Sequence, residues 1–148
     1  MTPQRRNKNV AVHEAGHAVA AHDIGLWFDY VTIDGQPRVE HSSPTSIERN
    51  HRWFPAEDLA MYRLAGGLAE QKISKKSHMS VFGLGPAESD WREFLRLGVD
   101  VASGHRLAVE FVRRRWAGIT AVAMVLARDG TLSPDAVHRI LAQEGGAR

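Results

Sequence analysis

His13, Glu14 and His17 form the pattern His-Glu-x-x-His near the start of this 148-residue chain, and their types and spacing are typical of a hydrolytic metal site. In a helix, side chains four residues apart project from the same face, so the two imidazoles can bind one zinc ion. The Glu14 carboxylate lies beside them, where it can hold a metal-bound water and accept its proton. We therefore predict a zinc-dependent hydrolytic site at these residues.

The sequence around the motif predicts the helix that this geometry requires. Residues 9–22 are rich in Ala, contain no Pro and are apolar on nearly every face except the His and Glu stripe. Such a helix, expected over about residues 6–24, is buried, and buried His and Glu need partners that a divalent cation would supply. Gly16 lowers helix stability relative to Ala, which indicates a packing role. The alternative is a helix whose two histidines are ordinary, partly buried residues.

A catalytic zinc site needs a third protein ligand and an open position for water. His22 does not fit the extended pattern His-Glu-x-x-His-x-x-Gly-x-x-His, because Asp23 stands at the last His position and Ala20 at the Gly position. We therefore expect His22 to flank the helix end before Gly25. The remaining candidates are acidic residues and histidines farther along the chain: Glu40, His41, His51, Glu70, His78, Glu88 and Asp90.

Composition limits the class of protein. A length of 148 residues suits one domain, 1–148, with a substantial core. The chain has no Cys, which excludes disulfides, thiolate zinc sites and a Cys nucleophile and fits a reducing, cytoplasmic location. No apolar run approaches the ~20 residues of a membrane helix, and the N-terminus lacks the features of a secretory signal. The net charge is only +2, so we interpret the Arg cluster 113–115 as a solvent-exposed helix face rather than as a nucleic-acid contact.

Hydrophobic periodicity and turn residues predict a mostly helical chain with a small β-sheet, that is, an α+β fold. A strand is expected over residues 28–34, up to the turn at Asp34 and Gly35, followed by a loop or short hairpin over 35–52. Residues 75–85 are expected to form a loop, and Ser103 and Gly104 a break or kink. The second and third predicted helices cover residues 55–73 and 86–102, and Gly98 is a weak point of the third. The fourth covers residues 105–128 and ends at Asp129 and Gly130. A short last helix begins at Ser133 and Pro134.

Several segments together resemble a known family. Residues 12–19 carry the zinc motif, residues 64–70 read LAGGLAE, and residues 86–91 read PAESDW, with a Val-Thr-Ile strand at 31–33 between the first two. In order and approximate spacing they are similar to the zinc helix, the AGRAAE-type helix and the GAxNDL element of the peptidase domain of FtsH-type ATP-dependent zinc metalloproteases. Residues 131–135 resemble the start of that family's last helix.

The resemblance implies a zincin-like helical peptidase domain with the His-Glu-x-x-His motif on a central helix. It makes His13, His17 and Asp90 the zinc ligands and Glu14 the catalytic base of an endopeptidase that hydrolyses unfolded proteins or peptides through a metal-activated water. Without the resemblance, Asp90 is equally well explained as a residue that favours the dipole at a helix N-terminus. No oxyanion donor beyond the metal is identified; His41, His51, His78 and Tyr30 are the candidates.

The sequence shows no Walker motif of an ATPase module, which in the resembling enzymes unfolds and feeds the substrate. We therefore expect a substrate that is already a peptide or an unfolded protein. The candidate partners are a second copy of the chain or a separate ATPase, and neither nucleic acid nor membrane is expected. Residues 29–34 are expected to form an edge strand on which an extended peptide pairs. The alternative function is a catalytically silent module that binds peptides or a protein partner.

Overall fold

The computed structural model describes residues 3–74 and 88–146, which form a mostly helical fold with one small antiparallel sheet, as predicted. The elements in chain order are α1 (Pro3–Ile24), β1 (Tyr30–Thr32), β2 (Arg38–Glu40), α2 (Pro44–Arg49), α3 (Ala56–Ser74), α4 (Glu88–Arg96), α5 (Val101–Arg114), α6 (Trp116–Asp129), β3 (Thr131–Leu132) and α7 (Pro134–Gly146). The loop predicted over 75–85 and the start predicted for the next helix lie outside the described residues. None of the described helices combines the length and hydropathy needed to cross a membrane.

Helix α1 is the centre of the core. Residues 11–21 are all buried, and α1 packs against α3 on one side and α6 on another. Where α1 meets α3, a Cβ atom added to Gly16 would lie 2.8 Å from the carbonyl oxygen of Ala65 and 3.1 Å from Cα of Gly66. The packing role predicted for Gly16 is therefore confirmed, because backbone occupies the space of the missing side chain.

The sheet has the strand order β2-β1-β3, so β1 is its central strand. Val31 pairs with Val39 of β2 on one side and with Leu132 of β3 on the other. The prediction that residues 29–34 form an edge strand is therefore wrong. The reason is that β3, only two residues long, is too short to show a strand periodicity in the sequence, and it covers the far side of β1.

The segment 35–52 contains more structure than predicted. The hairpin alternative is confirmed by β2, but the short helix α2 was not predicted. Its start is fixed by Ser43, whose hydroxyl accepts a hydrogen bond from the backbone N–H of Ser46 at 3.1 Å. The carboxylate of Asp29 accepts hydrogen bonds from both serine hydroxyls and thereby attaches α2 to the start of β1.

Two helix boundaries differ from the prediction. The third predicted helix ends at Arg96 rather than near 102, and Gly98 adopts a φ of +72° beyond its end. Asp100 then caps α5 by accepting a hydrogen bond from the N–H of Ser103 at 3.0 Å, so Ser103 and Gly104 start a helix instead of breaking one. The predicted helix 105–128 is two helices separated at Arg115.

The closing turn and the last helix follow the prediction. Gly130 ends α6 with a φ of +84°, a conformation that side chains other than Gly rarely adopt. The hydroxyl of Ser133 accepts a hydrogen bond from the N–H of Ala136 at 3.1 Å, and Pro134 is the first residue of α7. The Ser-Pro signal for a helix start is therefore confirmed.

We expect Gly16→Ala to destabilise the protein. The new methyl group would meet the Ala65 carbonyl oxygen, which is part of a helix backbone and cannot move aside cheaply. This cost exceeds the gain of about 1 kcal/mol in helix propensity, so the free energy of unfolding should fall by on the order of 1–2 kcal/mol in urea titrations. The matched control is Gly145→Ala in α7, where the added Cβ has no atom within 4 Å apart from its chain neighbours and the backbone of its own helix. An equal response of the two variants would contradict the close contact.

Candidate metal centre

Three side chains from two distant parts of the chain converge at the surface of α1. His13 and His17 lie one turn apart on this helix, with ring centroids 4.9 Å apart, and Asp90 lies in the first turn of α4. The two Nε2 atoms are 3.2 Å apart. Asp90 Oδ2 lies 3.1 Å from Nε2 of His17 and 3.4 Å from Nε2 of His13. The structure thus brings together the three residues that the sequence proposed as ligands, each offering one ligand atom.

The triangle formed by these atoms has the size of one face of a zinc coordination tetrahedron. Zinc–nitrogen bonds of about 2.0–2.1 Å place neighbouring ligand atoms of a tetrahedral site roughly 3.3–3.4 Å apart. The sides of the triangle measure 3.1, 3.2 and 3.4 Å. Two imidazoles and one carboxylate are also a donor set that zinc accepts, and three protein ligands leave a fourth position for water or substrate. The residues therefore fit a zinc ion.

The hydrogen bonds behind the rings determine which nitrogen of each imidazole faces the centre. Nδ1 of His17 lies 2.8 Å from the backbone carbonyl of Tyr62, which only accepts, so this nitrogen carries the proton. Nδ1 of His13 donates to Oε1 of Glu70 at 2.8 Å. In neutral rings both Nε2 lone pairs then point at each other and at a carboxylate oxygen. Such a buried cluster needs a cation or a proton between its members.

The charges of the cluster change its proton affinities strongly. Burial by itself would lower the pKa of His13, but its hydrogen bonds to Asp90 and Glu70 and the charge of Glu14 raise this pKa to about 10. Burial by itself would raise the pKa of Asp90, yet the positive charge of His17 and the hydrogen bonds to both rings hold it well below its ordinary value. A metal-free site therefore keeps a proton at the place where the cation would bind.

Glu14 is placed to exchange protons with a molecule in the cleft. Its carboxyl group is buried, lines the cleft and has no hydrogen-bond partner among the described residues. Burial raises the pKa of Glu14 above its ordinary value, and the charges of His17 and His13 oppose this rise. A raised pKa makes the carboxylate a stronger base, so Glu14 is suited to accept a proton from a molecule in the cleft.

The triangle opens into a cleft of about 610 Å³. One wall comes from α3 through Tyr62, Arg63 and Glu70, and a second wall comes from β2 and the residues around it, such as Val39 and His41. A cleft of this volume accommodates a short segment of peptide. The strand that borders the cleft is β2, which is an edge strand of the sheet among the described residues, whereas β1 is the central strand.

Glu70 was proposed as one of several possible third ligands, and the structure places it behind the metal centre instead. Its carboxylate holds His13 through Nδ1, on the side of the ring that faces away from the other ligand atoms. The second such contact, the carbonyl of Tyr62, was not foreseen, because a backbone acceptor leaves no signal in residue type. Both contacts come from α3, which therefore orients the two rings.

The small-residue segment of α3 has a direct role in this arrangement. The space of the missing side chain of Gly66 is filled by the His17 imidazole, and an added Cβ would contact its Nε2 atom. The same Cβ would lie 2.7 Å from the backbone oxygen of His13. Any side chain at position 66 would displace the ring, so Gly66 allows α3 to pack directly beneath the site.

The other sequence candidates have different partners. Glu40 binds Arg38 and Ser42, and Glu88 binds Arg92 at the rim of the cleft. His22 lies with His138 and Asp23 near the end of α1, consistent with its expected flanking position. His41 lines the cleft, His51 is exposed, and the hydroxyl of Tyr30 accepts a hydrogen bond from Arg38. His78 lies outside the described residues.

We expect Glu70→Ala to weaken zinc binding without removing a ligand. Loss of the acceptor at Nδ1 frees the His13 ring to rotate and to change tautomer, and losses of this kind cost about 10- to 100-fold in metal affinity. Competition with a chelating dye measures the effect. Glu88→Ala is the matched control, since Glu88 borders the same cleft but binds only Arg92 in its described surroundings. Equal zinc affinity of Glu70→Ala and the parent protein would contradict the orienting role.

Zinc affinity should also increase with pH over the range in which His13 is protonated in the metal-free protein. The pKa of His13 is raised to about 10, so at pH 7–9 the incoming ion displaces one proton. The apparent association constant is then expected to rise about tenfold per pH unit across this range, with one proton released per zinc bound. Titrations at pH 7, 8 and 9, corrected for the competing chelator, check this slope. An affinity independent of pH would show that His13 is unprotonated before zinc binds.

Comparison with known proteins does not assign the chain to a family. No protein-family model matches it, and the search of curated proteins gives no match. The function must therefore be inferred from the metal centre and the cleft that it faces.

Proposed function

We propose that this chain is a zinc-dependent peptidase with a zincin-like fold, similar to the peptidase domain of FtsH-type metalloproteases, that hydrolyses bonds within peptides or unfolded proteins. The observation that carries the proposal is the triangle of His13 Nε2, His17 Nε2 and Asp90 Oδ2, with sides of 3.1–3.4 Å, at the base of an open cleft. Glu14 beside this triangle supplies the base that a purely structural metal site does not need.

His13, His17 and Asp90 would hold the ion. When bound there, zinc would polarise a peptide carbonyl and lower the pKa of water towards neutrality. Glu14 takes the proton of the attacking water and returns it to the nitrogen of the leaving amine. Its raised pKa suits both halves of this transfer. Glu70 and the Tyr62 carbonyl keep the imidazoles in one tautomer throughout.

The substrate segment is proposed to lie along β2. This strand borders the cleft and is an edge of the sheet in the described part of the chain. An extended peptide can add to such an edge through backbone hydrogen bonds, which do not depend on its sequence. We propose an already unfolded protein or a short peptide as substrate, with a cytoplasmic location and a second copy or a separate ATPase as partner.

A catalytically silent binding module is the competing function. The arrangement of His13 between the carboxylates of Asp90 and Glu70 favours it, because these contacts raise the pKa of His13 and allow a proton to satisfy the cluster without a metal. Metal content separates the two functions. The peptidase proposal requires about one zinc per chain after dialysis against metal-free buffer at pH 8, and the silent module requires none.

We expect Glu14→Gln to retain zinc and to lose peptide hydrolysis. The amide keeps the size of the side chain but cannot accept the proton of water, so kcat should fall by about 100-fold or more. Cleavage of an internally quenched peptide gives the rate, and metal analysis of the same sample gives the zinc content. His17→Ala is the companion variant, and it should lose both zinc and activity. Hydrolysis by Glu14→Gln at the parent rate would refute the assignment of the base.

A further inference from the structure

Arg63 is a cationic residue of the cleft whose guanidinium forms a long ion pair with Asp90 and no hydrogen bond with a described residue. Its side chain is 30% exposed, and it lines the cleft beside the metal ligands. The nearest carboxylate oxygen is Oδ1 of Asp90 at 4.0 Å, too far for a hydrogen bond, and the guanidinium also lies over the Tyr62 ring, 5.4 Å from its centroid. Among the described residues no acceptor satisfies the N–H groups of Arg63.

The other two arginines of the cleft are engaged. Arg38 donates to Glu40 at 2.9 Å and to the hydroxyl of Tyr30 at 2.6 Å. Arg92 donates to Glu88 at 2.6 Å. A guanidinium that forms only a long ion pair among the described residues is suited to bind a carboxylate, because its planar fork matches the two carboxylate oxygens. Of the cleft arginines in the described part of the chain, Arg63 is therefore the one whose N–H groups remain to bind an anionic substrate group.

A second, smaller cavity of about 130 Å³ adjoins the cleft at the same residue. The two cavities share Arg63, Tyr62 and His41 as lining residues. The lining of the small cavity includes three aliphatic residues, Leu26, Leu59 and Leu97, and its acidic residue, Glu93, binds Arg96 at 2.7 Å. The cavity thus has the size and polarity for one aliphatic side chain, with Arg63 as its cationic lining residue.

We propose that Arg63 and this aliphatic cavity form a subsite for the C-terminal residue of a peptide. The guanidinium binds the terminal carboxylate, and the side chain of the last residue enters the cavity. The inference depends on the proposed peptidase chemistry and adds removal of the C-terminal residue to the cleavage of internal bonds proposed above. The peptide that binds best ends one residue after the scissile bond, whereas the resemblance to FtsH-type enzymes implies cleavage at internal bonds.

The geometry connects this subsite to the reaction. Nη1 of Arg63 lies 4.0 Å from Oδ1 of Asp90, so a carboxylate bound to Arg63 would stand next to the proposed metal ligands. The bond placed at the ligand triangle is then the last peptide bond of the substrate. Hydrolysis of that bond adds one water: its oxygen joins the carbonyl carbon, the carbon–nitrogen bond breaks, and the amine leaves with a proton from Glu14. The products are a shortened peptide with a new carboxylate and one free amino acid.

Binding measurements test the subsite independently of turnover. A labelled pentapeptide ending in Leu is titrated against the full chain carrying Glu14→Gln, once with a free carboxylate and once as the C-terminal amide, with zinc and with chelator. Fluorescence anisotropy should give at least about tenfold tighter binding of the free carboxylate, because a charge-assisted hydrogen bond is lost in the amide. Arg63→Gln should abolish this difference, and Arg63→Lys should retain part of it.

Arg92→Gln is the matched control, since Arg92 borders the same cleft but is held by Glu88, and it should keep the preference for the carboxylate. Leu59→Phe should remove the advantage of a terminal Leu over a terminal Gly by filling the cavity. Equal binding of acid and amide, no binding of either, or a preference that survives Arg63→Gln would refute the subsite. If a peptide amide that ends in Glu binds as tightly as the free acid that ends in Leu, Arg63 recognises side-chain carboxylates. That result would also refute the subsite.

The outcome also separates the subsite from the proposed function. If the carboxylate preference depends on Arg63 but the parent protein hydrolyses no peptide, the subsite stands and the peptidase proposal fails. If the parent protein hydrolyses internal bonds and the preference is absent, the peptidase proposal stands and the subsite fails. Arg63→Gln could instead lower zinc affinity and weaken binding of the free-acid and amide peptides by the same factor. In that case Arg63 acts only through Asp90, which refutes the subsite.

Discussion

Two imidazole lone pairs and a carboxylate oxygen repel one another at the candidate metal centre, and the helices around them hold these groups together in spite of that repulsion. Three acceptors lie within 3.4 Å of one another, and two of them belong to buried histidines. The protein does not relieve this repulsion by rotating the rings, because each Nδ1 is held by its own acceptor from α3. The fold thus maintains an arrangement that is stable only with positive charge at its centre, as expected of a preorganised metal site.

The contact between α1 and α3 makes that arrangement possible. Gly16 lets the α3 backbone approach α1, and Gly66 leaves room for the His17 ring directly above α3. The same approach brings Glu70 and the Tyr62 carbonyl within hydrogen-bond distance of the rings. Small residues on two helices therefore determine the tautomers of the histidines. The same glycines that allow the helices to pack closely also place the acceptors that orient the rings.

Local signals predicted the features that depend on neighbouring residues, and missed those that depend on distant contacts. The spacing of His13 and His17 fixes their shared face within one helix, and the Ser133-Pro134 signal marks the start of α7. Asp90 is different, because its approach depends on how α4 packs against α3, and only a resemblance to a family singled it out among the candidates. The two-residue strand β3 likewise has no pattern of its own and is formed by pairing with β1.

The short edges of the sheet have a consequence for how the protein associates with extended chains. Long, unpaired strand edges favour association with other copies, which ends in aggregation. Here β3 covers one side of the central strand with two residues, and β2 offers three on the other. A peptide can gain a few backbone hydrogen bonds beside the candidate metal centre, but the ladder is too short to hold it firmly or to seed fibrous stacking. The sheet is thus suited to transient pairing with an extended chain.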